Sequence, residues 1–454
     1  MANIIKLRKG LNINLKGKAR GEVLPVKPRG EVGLVPDAFV GMTPKVVVRE
    51  GDMVKAGDAL FVNKQCPDVR FASPVSGRVT AIVRGERRKV LCVKVKCDAE
   101  QQCVSFGRRD VSSLDGEAVV KALLEAGLFG YINQLPYAVS ACPSARPKAI
   151  FVSALRDMPL SADFGFEVRG QEKDFATGLE ALSKIATTHL GLGIQPDLQA
   201  ELSKLGVEKC VDVNIFDGPC PAGNVGVQVN HVDPVNKGEV VWTVDPSAVI
   251  FFGRLFNEGR VDLRRRVAVA GSEVEHPAYA DVLVGEPVRT LLEAAGVKSG
   301  RKVRIINGNP LTGRACEADD YVGGHTSEIT VIPEGDDADE MLGWIMPRFG
   351  QFSAHRSYFS WLSGKKEYAL DARVKGGERH MIMSGEYDSV LPMDIYGEYL
   401  IKAIIAGDID RMEQLGIYEV APEDFAVAEF VDSSKLELQK IVREGLDLLR
   451  KENA

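Results

Sequence analysis

KAIFVSALRDMPLSAD, residues Lys148 to Asp163, decides how this chain folds. Its apolar core, Ala149 to Val152, is short, rich in branched and aromatic residues, and followed at once by small and polar ones. That pattern predicts a buried strand feeding a ligand-facing loop. After Gly165, the segment Glu172 to His189 carries Phe175, Leu179, Leu182, Ile185 and Ala186 at helical spacing, and Gly191 is expected to stop it. Strand, loop and helix in that order make half of an α/β crossover unit, and the chemistry of the loop becomes the functional question.

The whole chain bounds the answer. Its 454 residues are enough for about two to four domains with separate cores. With 57 basic and 63 acidic residues the net charge is -6, which argues against a nucleic-acid binder, since such proteins need a basic footprint. The basic runs Arg264-Arg265-Arg266 and Arg84 with Arg87, Arg88 and Lys89 read as solvated faces. The longest apolar run, Ala248 to Phe252, falls far short of the roughly 20 residues that span a bilayer. Lys6, Arg8 and Lys9 interrupt any signal-peptide core, so a soluble, cytoplasmic chain is expected. Eight cysteines are scattered without a CxxC pair, which signals neither zinc nor an iron–sulfur cluster. Cys92, Cys97 and Cys103 read as ordinary reduced thiols.

From the start to about Cys97 the chain reads as all-β. VVVREGDMVKAGDALFVNK places Gly51-Asp52 and Gly57-Asp58 between short apolar strands, and ASPVSGRVTAIV adds a turn at Pro74 and Gly77. Between Val46 and Lys96 this order of motifs resembles the biotinyl/lipoyl carrier fold. A carrier of that kind bears its prosthetic group on a lysine at the hairpin tip. Here the tip is Asn63-Lys64-Gln65-Cys66-Pro67-Asp68, with Cys66-Pro67 at the expected lysine position and Lys64 too early, so an unmodified structural module is expected. An acylated carrier would have only Lys64 nearby.

The second region opens with a helix carrying Leu114, Val119, Leu123 and Leu124 and ending near Gly127. AGLFGYINQLPYAV, taken with the Lys148 to Asp163 strand and loop, resembles the flavin-binding subunit of respiratory complex I and the C subunit of the Rnf complex. In those relatives a glycine cluster admits the flavin and an acidic E-x-E-P loop contacts flavin or nicotinamide. Here the cluster is reduced to Gly127 and Gly130, with Leu128, Phe129 and Tyr131 filling the space that missing Cβ atoms would leave. The loop reads Arg156-Asp157-Met158-Pro159 and has lost both glutamates. No G-x-G-x-x-G is present, and Gly191 to Gly193 read as helix caps. Further on, strands are expected around Val240 to Val244 and Val249 to Phe252. His231 beside Asp233, His276 and His325 read as structural histidines, no nucleophile or pocket being indicated.

VGEPVRTLLEAAGV places Pro287 in a first helical turn and Gly296 at a helix end, and VRIINGNPLTG adds a strand and tight turn. This part resembles the soluble-ligand-binding β-grasp (SLBB) domain. The last part reads as helical. DIYGEYLIKAIIAGD is apolar nearly all round and is expected to be buried, and Ser434-x-x-Glu437 predicts a capping box opening the final helix. No cysteine follows Cys316, so this part holds no iron–sulfur centre. The expected fold class is multidomain α/β: a biotinyl/lipoyl-like β domain over 1–100, a Rossmann-like α/β domain over 101–255, an SLBB-like β-grasp domain over 256–333 and a helical domain over 334–454.

IIKLRKGLNINLKG, IFVSALRDMPLSAD, NHVDPVNKGE, FGRLFNEGRVDLRRRVAVAGSEV and LPMDIYGEYLIKAIIAGDIDRMEQLG, in that order, resemble the A-subunit family of the sodium-translocating NADH:quinone oxidoreductase, Na+-NQR. The resemblance implies a peripheral subunit on the cytoplasmic face of the bacterial inner membrane, in a complex that couples NADH oxidation and quinone reduction to sodium export. It implies no cofactor on this chain, because NADH, flavins, iron centres and quinone are handled by other subunits. The implied partners are the other five subunits, chiefly the membrane subunit carrying covalent flavin, with quinone as a candidate ligand and no nucleic acid. No catalytic, cofactor-binding or metal residue transfers by motif. Phe129, Tyr131, Tyr137 and Arg156 are the candidate lining of a quinone cleft, by ring stacking and hydrogen bonding, or else they fill the space of the lost flavin. An Rnf-type flavin- and NADH-binding redox subunit is the alternative.

Overall fold

The computed structural model describes residues 3–27, 30–336, 349–354, 360–362 and 366–453. The expected helical region over 334–454 therefore lies partly outside the described residues.

A seven-stranded sheet organises the molecule, in the order Asn3–Lys6, Asp212–Asp217, Thr187–Leu192, Ala149–Ser153, Val241–Val244, Ile132–Leu135, Val139–Ser140. The first five strands run parallel; Ile132–Leu135 is antiparallel to them, and Val139–Ser140 is antiparallel to Ile132–Leu135. Ala149–Ser153 is central and covered on both faces, which is why it is apolar without alternation. Ile150 and Val152 point to the core shared with the helices Glu172–Ile185 and Pro246–Glu258, while Ala149 and Phe151 point to Val229 of the helix Val225–Val232. The first two helices cross so closely that a Cβ on Gly178 would fall on the carbonyl oxygen of Val249, and one on Gly253 on that of Asp174.

Two expected boundaries shift. The helix from Glu172 ends at Ile185, and His189 and Gly191 lie inside the strand Thr187–Leu192, with Gly191 opposite Ser153. Gly191 is thus a strand residue and no helix cap; the β-branched pair Thr187-Thr188 favours the extended chain. Val249 to Phe252 is helical instead of a strand, because Asp245 caps the Ser247 N–H at 2.9 Å and Pro246 takes the first helical turn.

Glu31–Leu34, Val90–Cys97, Gly77–Arg84 and Met53–Val54 form one small sheet, and Pro44–Val46, Ala59–Asn63 and Arg70–Ala72 another. Phe61 and Phe71 stack at 4.8 Å in the core between them. This sandwich packs directly on the α/β layer. A Cβ on Gly130 would fall on the Phe71 ring, and one on Gly127, at φ +67°, would lie 2.9 Å from the Ala72 nitrogen. The two glycines are small because two domains touch there.

The third sheet runs Arg314–Cys316, Val303–Asn307, Glu328–Pro333, Arg264–Ala270, Ala278–Leu283, Val23–Leu24. Strand alternation corrects the reading of the arginine triplet as a solvated face: Arg264 is exposed, but Arg265 points inward and is 3% exposed. The chain's first strand and Val23–Leu24 lie outside the sandwich; one edges the seven-stranded sheet beside Asp212–Asp217, the other pairs with Tyr279 and Ala280.

Near the C-terminus, the helices Glu386–Val390, Gly397–Ala406, Ile409–Gln414, Ala426–Val431 and Leu438–Glu452 share a core with Leu7, Phe216 and Val227. Gly397–Ala406 is not buried all round, since Tyr399 and Ile405 are 58% and 57% exposed. The Ser434 capping box is not formed. The final helix starts after Glu437, and Ser434 Oγ instead accepts from the Ile382 N–H at 3.1 Å. Asp432 holds the turn before it, accepting from the Ser434 and Leu436 N–H groups at 3.1 and 2.8 Å.

Candidate functional site

From Ala149–Ser153 the chain crosses to Thr187–Leu192 on one side, and later returns to place Val241–Val244 on the other. Neighbouring parallel strands whose connections leave in opposite directions open a crevice at their carboxyl ends. A cleft of about 570 Å³ lies there, bordered by Ser153, Arg156, Asp157, Asp245, His325 and Glu328 among others. Its walls come from the α/β layer and the third sheet, with Val35, Asp37, Ala38 and Val40 beside the sandwich and Glu423 of the C-terminal part.

The loop after Ala149–Ser153 is tied down before it reaches the cleft. Ser153 Oγ donates to the Gly223 carbonyl at 2.6 Å and the Ala154 N–H to the Gly191 carbonyl at 2.8 Å. Asp163 ends the loop, accepting from the Gly165 N–H at 2.9 Å while its own N–H donates to Tyr279 Oη at 2.8 Å. Between these anchors Arg156 turns inward. Its Nη2 lies 3.3 Å from Glu167 Oε2, 3.3 Å from Asp245 Oδ2 and 3.1 Å from Ser247 Oγ, and Nη1 donates to Ser327 Oγ. Arg265 reaches the same cluster from the third sheet, donating to Ser247 Oγ at 3.0 Å and to the Gly324 carbonyl at 2.9 Å. Ser247 Oγ in turn donates to Glu167. Glu328 accepts from the Ala162 N–H at 3.1 Å.

Three carboxyl groups and two guanidiniums thus share one buried floor. Burial pushes Asp245 up, but the Arg156 and Arg265 guanidiniums outweigh it and hold the group below its ordinary range. For Glu167 and Glu328 burial dominates and raises both.

Acids of the chain itself stand near the helix starts around the crevice. Asp245 caps Pro246–Glu258, and Asp157 Oδ2 accepts from the Gly223 N–H at 2.9 Å, just before the helix Val225–Val232. Asp424, from the C-terminal part, accepts from Asn224 Nδ2 at 3.3 Å and from the Ala421 N–H at 2.8 Å. Burial first, then Glu423, pushes Asp424 up to about 8. A carboxyl raised in the folded state stabilises it fully below the unfolded pKa of about 3.8, and that contribution is lost as pH rises towards 8. Asp424→Asn is therefore expected to flatten the fall in melting temperature over that window; an unchanged slope would show that Asp424 titrates normally.

Polar atoms remain for a ligand. His325 Nε2, Asp157 Oδ1 and Arg156 Nε are buried without a hydrogen-bond partner among the described residues. Burial holds the His325 imidazole down at about 4, so it is neutral near pH 7, and burial pushes Asp157 up to about 6.

The sequence-derived candidates separate. Arg156 is in the cleft. Phe129 and Tyr131 are core residues that do not line it: Phe129 meets Trp242 edge-on at 5.3 Å, and Tyr131 meets Phe39 at 5.3 Å and Phe251 at 5.6 Å. Tyr137 faces the C-terminal helix, with its carbonyl accepting from Arg443 at 2.6 Å and its hydroxyl from Asn453 at 3.3 Å. His325, read from the sequence as structural, lies at the cleft wall beside Gly323. His231 and Asp233 have separate partners, the Val227 carbonyl at 2.9 Å and Lys148 at 2.8 Å.

Domain by domain, the chain is a multidomain α/β protein of known modules. Residues 5–98 match the NqrA N-terminal barrel-sandwich hybrid domain, 114–261 the NqrA second alpha/beta domain, and 266–318 the NQRA C-terminal domain, of SLBB type. Over the full length, the A subunit of Na(+)-translocating NADH-quinone reductase from Neisseria meningitidis serogroup B is 32% identical, covering 99% of this chain and 100% of the relative. The proteins of the same name from Yersinia pestis bv. Antiqua and Photorhabdus laumondii are each 33% identical, again covering 99% of this chain and 100% of each relative. The chain belongs to the NqrA family, the A subunits of Na(+)-translocating NADH-quinone reductases. Among solved structures, an NAD+-reducing [NiFe]-hydrogenase in the H2-reduced state is similar at a TM-score of 0.40 and 13% identity, covering 76% of this chain and 62% of that one, a likeness too loose to carry an argument. Among the described residues no helix is long and apolar enough to cross a membrane.

Proposed function

We propose that this chain works as the peripheral, cytoplasmic-side subunit of a sodium-translocating NADH:quinone reductase, docked on membrane subunits that hold the redox cofactors, and that its cleft receives a quinone head group. It binds neither flavin nor NADH itself. The carrying observation is that acids occupy the positions a phosphate needs. Asp157 accepts from the Gly223 N–H and Asp245 from the Ser247 N–H, so a flavin or dinucleotide phosphate brought to these two groups would meet carboxylates. The residues present do not fit a phosphate-bearing cofactor.

An uncharged ring with carbonyl oxygens fits better. Neutral His325 can carry its proton on Nε2 and donate it to a quinone oxygen, and Asp157, near its midpoint at about 6, can accept from a quinol hydroxyl. His325→Leu is expected to weaken binding of a short-tailed ubiquinone to the purified chain about tenfold, the loss of roughly one hydrogen bond. Unchanged affinity in the folded variant would end the quinone reading. The same titration with FMN and NADH tests the rest: saturable binding of either would move the Rnf-type reading to the front.

A further inference from the structure

We propose that the basic turn Arg84 to Lys89 of the sandwich is a docking surface for the anionic phospholipid headgroups of a bilayer, and that it holds the rim of the cleft against the membrane. The turn joins the strands Gly77–Arg84 and Val90–Cys97. It is closed by the Lys89 N–H, which donates to the Glu86 carbonyl at 3.0 Å, and by the Gly85 N–H, which donates to the Lys89 carbonyl at 2.9 Å. Arg87 and Arg88 take its two central positions, at φ +51° and +60°. A two-residue turn with positive φ at both centres favours Asn-Gly, because larger side chains are disfavoured in that region. Two arginines stand where the backbone suits neither.

No contact within the molecule accounts for them. Both are exposed, and among the described residues neither guanidinium has a hydrogen bond or an ion pair. Their neighbours are held: Arg84 Nη1 donates to the Arg88 carbonyl at 3.2 Å, and Lys89 Nζ pairs with Asp37 at 2.6 Å. Arg84, Arg87, Arg88 and Lys89 thus stand exposed with Glu86 as the sole acid in the turn. Leu91, 38% exposed, lies against Gly85 at its base and adds an apolar contact. The turn also borders the cleft. Asp37 lines the cleft and accepts from Lys89, while its carbonyl accepts from Arg314, another lining residue, at 3.5 Å. Val35, Ala38 and Val40 continue that wall with apolar side chains.

Charge selects the partner. The chain as a whole carries -6 and is repelled by an anionic surface, but at 0.1 M salt charges beyond about 10 Å are screened, so the turn nearest the surface decides both attraction and orientation. A layer of phosphates presents charge in every direction and needs no fixed register, which suits arginines that no neighbour orients. Recognition of a protein carboxylate would instead call for a guanidinium held in fork geometry. With the turn on the headgroups, the cleft opens towards the layer from which an apolar-tailed ligand arrives. That last consequence rests on the reading of the cleft as a quinone site; the lipid contact does not.

Sedimentation of the full chain with vesicles of phosphatidylcholine alone, and of phosphatidylcholine mixed equally with phosphatidylglycerol, tests this. Binding is expected on the mixed vesicles only, at about 0.1 M salt and not at about 1 M, where the Debye length falls to about 3 Å. Arg87→Asn with Arg88→Gly removes two charges and leaves a turn that both residues favour, so the fold is kept and vesicle binding should weaken about thirtyfold. Lys204→Gln with Lys402→Gln removes the same charge from exposed lysines elsewhere and should change nothing. Arg87→Lys with Arg88→Lys should bind as the parent does. The proposal is overturned if neutral vesicles bind equally well, if mixed vesicles do not bind at low salt, or if the lysine-to-glutamine pair loses as much as the Asn-Gly pair. It is overturned equally if the Arg-to-Lys pair abolishes binding, the mark of carboxylate-type recognition, or if inorganic phosphate displaces the chain where chloride of equal ionic strength does not. These vesicles contain no quinone, so the result is independent of the His325 titration.

Discussion

Replacing Arg156 with Met is expected to destabilise the chain by about 3–5 kcal/mol, because it removes one partner of a buried charge cluster and leaves the other charges in place. Glu167 and Asp245 both lie 3.3 Å from the Arg156 guanidinium. Only Arg265 would then remain to balance them, at 3.8 Å from Asp245. Glu167 would respond by keeping its proton, since burial already raises it. Hence Arg156→Met combined with Glu167→Gln should recover part of the loss. Urea unfolding of the single and double variants measures this; equal midpoints for parent and single variant would show that the cluster is only geometric. The cleft should suffer as well, because Arg156 spans from Glu167 and Asp245 to Ser327 on the third sheet.

Gly253→Ala carries the second large effect. Alanine is favoured over glycine in a helix interior by about 1 kcal/mol, so propensity alone forecasts a more stable protein. Contact forecasts the reverse: the added Cβ would fall on the Asp174 backbone carbonyl, which no rotamer change can clear. Forcing the Glu172–Ile185 and Pro246–Glu258 helices apart costs roughly 1–3 kcal/mol or more, which outweighs the propensity gain. Thermal unfolding should show a lower midpoint for Gly253→Ala and a lower one still for Gly253→Val. A rise for Ala would mean that the helices yield easily and that their close crossing does not hold the α/β layer together.

What could be read in advance followed from periodicity. The strand at Ala149, the helix Val288–Ala295 ending at Gly296, and the paired turns of the sandwich each announce themselves within a dozen residues. Errors arose where residues outside the short run decide. Val249 to Phe252 has the composition of a strand, yet the cap at Asp245-Pro246 made it helical. Arg265 looks like part of a basic surface until strand alternation turns it inward to Asp245. Gly127 and Gly130 read as relics of a cofactor loop, whereas Phe71 and Ala72 of another domain explain them. His325 lies 168 positions beyond Asp157 in the sequence (325 − 157), and local pattern cannot bring them to one cleft.

The edge strand Asn3–Lys6 imposes an order on biosynthesis. Its partner is Asp212–Asp217, and Asn3 hydrogen-bonds to Asn214 across 211 positions of sequence. A ribosome delivers the first strand long before its neighbour in the sheet exists, so those residues stay unpaired until more than two hundred others have emerged. Val23–Leu24 waits longer, for Ala278–Leu283. The strands of the sandwich between Glu31 and Cys97 are made in the interval, before either of those two strands has its partner. Asn3–Lys6 and Val23–Leu24 are therefore made before the sandwich and find their places only after strands far downstream of it exist.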